Sequence, residues 1–140
     1  MQVHVSEVPR TAFAPLPGQV GDPDVRFLIS GAQAGTPVCL FRCVFPPGAL
    51  HGRHRHAGAD EFVYIIRGHA AAGDGEAEFD APAGTAIYSP RGQVHWIRNI
   101  SESEDLELFG GFAGVADLDA AGYEFVGEIS PAHRTISSRP

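Results

Sequence analysis

The stretch "GALHGRHRHAGADEFVYIIRG" occupies residues 48–68, and its eleven positions from His51 to Glu61 hold three histidines, two arginines and two acids. Such a run can be a basic patch, a solvated loop or the donor set of a metal site, and periodicity separates these readings. On an extended segment, side chains two apart share a face. His54 and His56 therefore point together, while Arg55 points the other way. A strand paired alongside can bring Glu61 to the same interior. About forty residues on, "GTAIYSPRGQVHWIRN" (84–99) sets His95 in another strand. Ile97 and Asn99 lie on its face, Trp96 and Arg98 on the opposite one. Three imidazoles and a carboxylate form a mixed nitrogen and oxygen set suited to a divalent first-row metal.

The rest of the chain is consistent with a small all-β domain. Its 140 residues suffice for one domain with one core. Hydrophobic residues make up 44 % and charged residues 19 %, while 17 glycines and 11 prolines are spread along the chain as turn punctuation. The formal charge of −7 disfavours nucleic acid and membrane surfaces as partners. Cys39 and Cys43, four apart on a strand, would sit roughly 13 Å apart, too far for a disulfide. No apolar run reaches the length of a membrane span, and "MQVHVSEVPR" lacks a signal-peptide pattern. The expectation is a cytoplasmic protein.

Short segments rich in β-branched and aromatic residues predict strands at 25–30, 37–45, 61–68, 77–82, 85–90, 94–101 and 105–114. "GAQAGT" between the first two reads as a hairpin turn, and 115–125 as a short helix ended by Gly122. Residues 1–24 form an arm with one strand near Val3–Val5, 25–126 the barrel, and 127–140 a loose tail. Glu76, Glu78 and Asp80 alternate with Ala77, Phe79 and Ala81, which predicts a solvated strand face. In "CLFRCVF", Cys39, Phe41, Cys43 and Phe45 share one face. If that face is interior, Arg42 is an exterior or interface residue; if reversed, Arg42 enters the cavity as a carboxylate anchor.

Ten residues at set spacing carry a family resemblance. They are Gly48, His54, His56, Glu61 and Gly68 in the first segment, then Gly84, Pro90, Gly92, His95 and Asn99 in the second. The chain resembles the two-motif signature of the cupin superfamily at each of these positions, and the 15 residues between Gly68 and Gly84 fit small bacterial members. The resemblance implies an antiparallel double-stranded β-helix, or jelly roll, with at most one short C-terminal helix. It implies ligation of one divalent transition metal (Fe, Mn, Ni, Co or Zn) by His54, His56, Glu61 and His95. Four protein ligands leave an octahedral ion two positions for water, substrate or O₂. A structural zinc would be closed, often by thiolates, whereas both cysteines lie outside the motifs.

Two mechanisms then fit a small organic substrate: a dioxygenase, or Lewis-acid chemistry of the isomerase, lyase, decarboxylase or cyclase kind. A non-catalytic metal- or ligand-binding module is the alternative. Catalytic residues other than the metal ligands are not identified. Weaker substrate-side candidates are His51, Arg42, Val63 and Ile97. His51 reads first as a solvated loop histidine, because Gly52 interrupts alternation toward His54, and second as a residue of the pocket mouth. Val63 stands where some lyase-type cupins carry a tyrosine, and Tyr64 should face outward. Trp96 and Arg98, also outward, predict a homodimer. His4, His69 and His133 have no identifiable partners.

Overall fold

In the segment 40–45 every second residue is buried, with Phe41, Cys43 and Phe45 facing in. This alternation, repeated strand by strand, folds the chain into two facing sheets. The structure, a computed structural model, describes residues 1–11, 16–134 and 136–137. A 3₁₀ turn at Val5–Glu7 precedes β1 (Gln19–Val20) and β2 (Asp24–Ile29). There follow α1 (Gly31–Ala34), β3 (Leu40–Phe45), β4 (Leu50–Arg55), β5 (Glu61–Arg67), β6 (His69–Asp74) and β7 (Ala77–Pro82). The chain closes with β8 (Ala86–Ser89), β9 (His95–Asn99), β10 (Leu106–Phe112), α2 (Leu118–Ala121), β11 (Glu124–Gly127) and β12 (Ile136–Ser137).

The larger sheet has the order β1-β4-β9-β6-β7-β12, with β11 also on β4, and the smaller β2-β3-β10-β5-β8. Pairing is antiparallel except for β12 on β7. This is the jelly roll. The core between the sheets takes Phe41, Cys43, Phe45, Ile65 and Leu108 from the small sheet and Ala70, Ala72 and Ala81 from the large one. Cys39 and Cys43 are both free and buried, and burial pushes the Cys43 thiol far up.

Several expectations change. "GAQAGT" holds a helical turn, not a plain hairpin turn: the Ser30 N–H donates to Gln33 Oε1 at 3.2 Å, and Gly35 closes the turn at φ 70°. Among the described residues the fold thus has two four-residue helices, of which α2 is the short C-terminal one expected and α1 is an addition. Val5 begins the 3₁₀ turn instead of a strand, and the arm's strand is β1. Strand β6 goes unread in the sequence because "HAAAGD" lacks β-forming residues. Its small residues are needed: a Cβ at Gly73 would collide with the Trp96 indole.

Glu78 is not solvated. It is 0 % exposed, accepts from Arg98 Nε and Nη2 at 2.7 and 2.8 Å, and from Trp96 Nε1 at 3.1 Å. Trp96 and Arg98 do face away from His95, but Trp96 is buried with a residue of the chain's end beside its ring, and Arg98 is tied to Glu78. The His133 ring lies edge-on 5.5 Å from that of Trp96, Ile129 is buried, and β12 pairs with β7. The described part of the segment expected to be loose therefore packs against the sheet. Residues 12–15 of the arm and 135 and 138–140 of the tail lie outside the described residues. His4 caps the 3₁₀ turn, and His69 pairs with Asp80.

Candidate metal centre

Strand register brings the donors together. His54 on β4 is the direct partner of His95 on β9, and His51 that of Ile97. Two residues of β4, Gly52 and Arg53, oppose Trp96 alone. This bulge resets the alternation, so His51 and His54 face the same interior. His51 is therefore no solvated loop residue: it lies on a strand, and its ring sits 4.9 Å from that of Phe45. Glu61 opens β5 in the opposite sheet, paired with Ser89, and shares its inward face with Val63 and Ile65. Beyond it, the Asp60 carboxylate accepts from the Tyr88 hydroxyl at 2.6 Å and the Arg91 N–H at 2.7 Å. The Gly92 N–H donates to the His56 carbonyl at 2.8 Å. These bonds fix the "PRG" turn that leads into His95. Asn99 closes the far end, its amide donating to the carbonyls of Phe45 (2.9 Å), Pro46 (3.2 Å) and Glu104 (2.7 Å).

One donor atom each from His54, His56, Glu61 and His95 lies within 4.8 Å of the others. The imidazoles share one tethering scheme. Nδ1–H of His54 donates to the Gly52 carbonyl at 2.7 Å, that of His56 to Gly122 at 2.5 Å, and that of His95 to Gln93 at 3.0 Å. Each bond fixes the ring's orientation and leaves an Nε2 lone pair for the centre. His56 Nε2 lies 2.9 Å from Glu61 Oε2 and His95 Nε2 3.6 Å from Oε1. Yet both nitrogens are buried without a hydrogen bond. Buried polar atoms that converge unpartnered fit a shared cation, and the buried cluster is geometrically consistent with one divalent transition metal ion.

The electrostatics follow from burial. Desolvation alone would raise Glu61, but the imidazoles of His56 and His95 outweigh it and hold the carboxyl well below its usual range. Desolvation holds His54 neutral, far below an ordinary histidine, and lowers His51 to about 4. For His95 burial also favours the neutral form, but the Glu61 carboxylate outweighs it and raises the group.

The cluster opens onto a cavity walled by Phe27, Phe41, Phe45 and Leu108, together with Val63, Ile97 and His51. Arg42 does not line it. Arg42 stands on the outer face of β3, its Nε donating to Glu107 at 2.8 Å. The reason is the alternation that turns Cys43 inward. Tyr64 faces out as expected, 51 % exposed. Sequence reading missed Tyr123, whose ring stacks on His54 at 5.0 Å and whose hydroxyl donates to the Pro17 carbonyl at 2.5 Å. Burial raises that phenol to about 12. Only the chain's return after α2 brings it to the site, and no local motif marks it.

A jelly roll with three inward histidines and one glutamate on facing sheets defines a class of metal-binding β-barrels. Residues 41–110 match the family model described as the cupin domain, and the chain belongs to the cupin family. An oxalate-binding protein of Thermotoga maritima is 30 % identical over 109 residues, which are 77 % of this chain and 89 % of that protein. An oxalate decarboxylase of Arthroderma benhamiae is 40 % identical over 65 residues, but these are 43 % of this chain and only 15 % of that protein. Among solved structures, a predicted oxalate decarboxylase from T. maritima superposes with a TM-score of 0.71 at 27 % identity, over 80 % of this chain and 97 % of that one. A polyketide cyclase from Streptomyces resistomycificus reaches 0.74 at 17 % identity, over 94 % and 88 %.

Proposed function

We propose that this cupin is a metal-dependent enzyme acting on a small organic molecule, with His54, His56, Glu61 and His95 as its ligands. The observation that carries this reading is the set of Nδ1-tethered imidazoles converging with Glu61 beside an apolar cavity. A divalent ion held there supplies Lewis acidity or, if it is iron, a centre for O₂ chemistry. The chain's residues do the rest. The backbone carbonyls orient the rings, and Glu61 stays ionised to balance charge. Tyr123 and Phe112 pack against His54 and His56 and limit water around them.

Dioxygenase and Lewis-acid chemistry (isomerase, lyase, decarboxylase or cyclase) both suit this arrangement. The cavity offers few proton-transfer groups, which favours reactions driven at the metal. A second reading is a binding module without catalysis. It is favoured by the relative described as oxalate-binding, and oxalate is one candidate ligand for this chain. We also propose a homodimer, supported by exposed aromatic side chains on the outer face of the small sheet. This differs from the face suggested by Trp96, which the chain itself covers.

Purified protein is expected to hold close to one divalent metal per chain, read by inductively coupled plasma mass spectrometry, and His54→Ala or Glu61→Ala to lose it. Protein that refuses Fe, Mn, Ni, Co and Zn on reconstitution would sink the reading. Oxygen-electrode screening of the Fe(II) protein separates the classes: uptake with a substrate indicates dioxygenase chemistry, and product without uptake Lewis-acid chemistry. Ligand binding without turnover indicates the binding module.

A further inference from the structure

The charge inventory of the cavity narrows its ligand. The chain contains no lysine. Among the described residues no arginine lines the cavity. Arg10, Arg26, Arg42, Arg55, Arg67 and Arg98 are each paired with a carboxylate elsewhere, and Arg53 lies over the Trp96 ring. The positive charge available to a ligand is therefore that of the metal. A divalent ion facing one carboxylate, Glu61, leaves a single net positive charge in an apolar enclosure. A monoanion neutralises it. A dianion leaves the enclosure net negative with no cation to answer it, and an uncompensated buried charge is strongly unfavourable.

Two further features describe the rest of the ligand. The walls are aromatic and aliphatic (Phe27, Phe41, Phe45, Val63, Ile97 and Leu108), so most of the ligand's surface must be apolar to gain from burial. Apart from the metal ligands, one buried polar atom of the wall is left open. His51 Nε2 is buried without a hydrogen bond, while the bulge at Gly52 and Arg53 holds its ring on the side of His54, with centroids 6.3 Å apart. A buried polar atom left open beside a binding site is completed by the ligand.

We propose that the cavity selects a monoanionic, mainly apolar oxygen ligand, such as an enolate or phenolate chelate, one of whose oxygens bonds to His51 Nε2. His51 is thus a specificity residue that is not a metal ligand. The proposal rests on the metal-centre reading above, and it disfavours oxalate, a dianion at neutral pH with no apolar body.

The test uses full-length protein loaded with Co(II), titrated with tropolone, a monoanionic aromatic chelator, and with oxalate. Calorimetry gives the affinity, and the visible Co(II) bands report direct contact with the ion. Each affinity is divided by that of the same ligand for aqueous Co(II). Tropolone is expected to exceed oxalate by at least about tenfold on this scale. His51→Leu should keep full Co(II) stoichiometry and lose roughly tenfold in tropolone affinity, and His51→Gln, which keeps a donor, should recover part of it. Oxalate binding as tightly as tropolone overturns the proposal and leaves the metal centre standing. Unchanged tropolone affinity in a folded, Co(II)-loaded His51→Leu overturns the role of His51. Failure to take up Co(II), with no other metal accepted, overturns both proposal and metal centre.

Discussion

His51 is separated from His54 by two residues, so simple strand alternation would put the two rings on opposite faces. The bulge in β4 cancels that difference and buries an imidazole that composition alone would leave in water. The consequence is a pH dependence of the metal-free protein. Burial lowers His51 to about 4 from an ordinary 6.5. Between these values the unfolded chain takes up a proton that the folded chain refuses. Stability then falls as the pH drops through this window, and above pH 6.5 the group makes no difference. The full loss is about 3 kcal/mol. His95, whose value is raised, works in the opposite direction, so the contribution of His51 is read as a difference. Urea unfolding of the apo protein at pH 7 and pH 4.5 should show a shallower acid loss in His51→Phe than in the wild type. Parallel losses in the two proteins would refute this account.

At the scale of the element, the outer face of the large sheet carries an unexpected load. Glu78 on β7 joins Trp96 and Arg98 on β9 across the intervening β6, where Gly73 leaves room for the indole. Removing the carboxylate strands a partly buried guanidinium that is only 18 % exposed and an indole N–H. Glu78→Ala is expected to cost about 3 kcal/mol. The protein's single tryptophan provides the readout through the midpoint of its fluorescence transition in urea. A midpoint within error of the wild type would show that the pair adds nothing. The network also shows what a sequence can carry. Alternation correctly placed Trp96 and Arg98 on the face opposite His95 and grouped Glu78 with the side chains turned from the core, because facing is a local property of each strand. Their burial depends on the contacts they make with one another across three strands and on His133 arriving beside Trp96 from the chain's end, and no window around Glu78 contains that information. The metal ligands were legible for the converse reason. Glycines, a proline and an asparagine at set spacing frame them, each needed for a turn or a buried bond, as at Gly92 and Asn99. His51 and Tyr123 have no such frame, and β6, with only alanine and glycine between His69 and Asp74, has no strand signature at all.

In the whole molecule the metal centre joins the two layers. His54 and His95 come from the large sheet and Glu61 from the small one. An ion bound there cross-links the sheets and stabilises only the folded chain. At free metal about 100-fold above its dissociation constant the gain is about 2.7 kcal/mol. Dialysis against a chelator should lower the melting temperature, metal should restore it, and Glu61→Ala should abolish the response. A melting temperature indifferent to metal in the wild type would contradict the cross-link.

The proposed homodimer rests on the opposite surface. On the outside of the small sheet, Phe62 on β5 is the cross-strand partner of Tyr88 on β8, and Phe109 on β10 that of Tyr64 on β5. Phe62 is 48 % exposed and Tyr88 61 %. They border a shallow groove that reaches Leu40. Flanking the groove, Arg42 and Arg67 both pair with Glu107, which neutralises charge at its edge. Two copies of a chain with a net charge of −7 repel one another, so association needs a face where apolar burial exceeds that repulsion. Among the described residues this is the face where exposed aromatic side chains pair across neighbouring strands, and clusters of that kind on soluble proteins mark contact surfaces. Light scattering after size-exclusion chromatography should give the mass of a dimer for the wild type. Phe62→Glu with Tyr88→Glu should give a monomer, because each new carboxylate would be buried unpaired in the apolar contact. Metal content should remain intact, since both side chains point away from the centre. A monomeric wild type at micromolar concentration, or a double variant that stays dimeric, would remove this face as the interface.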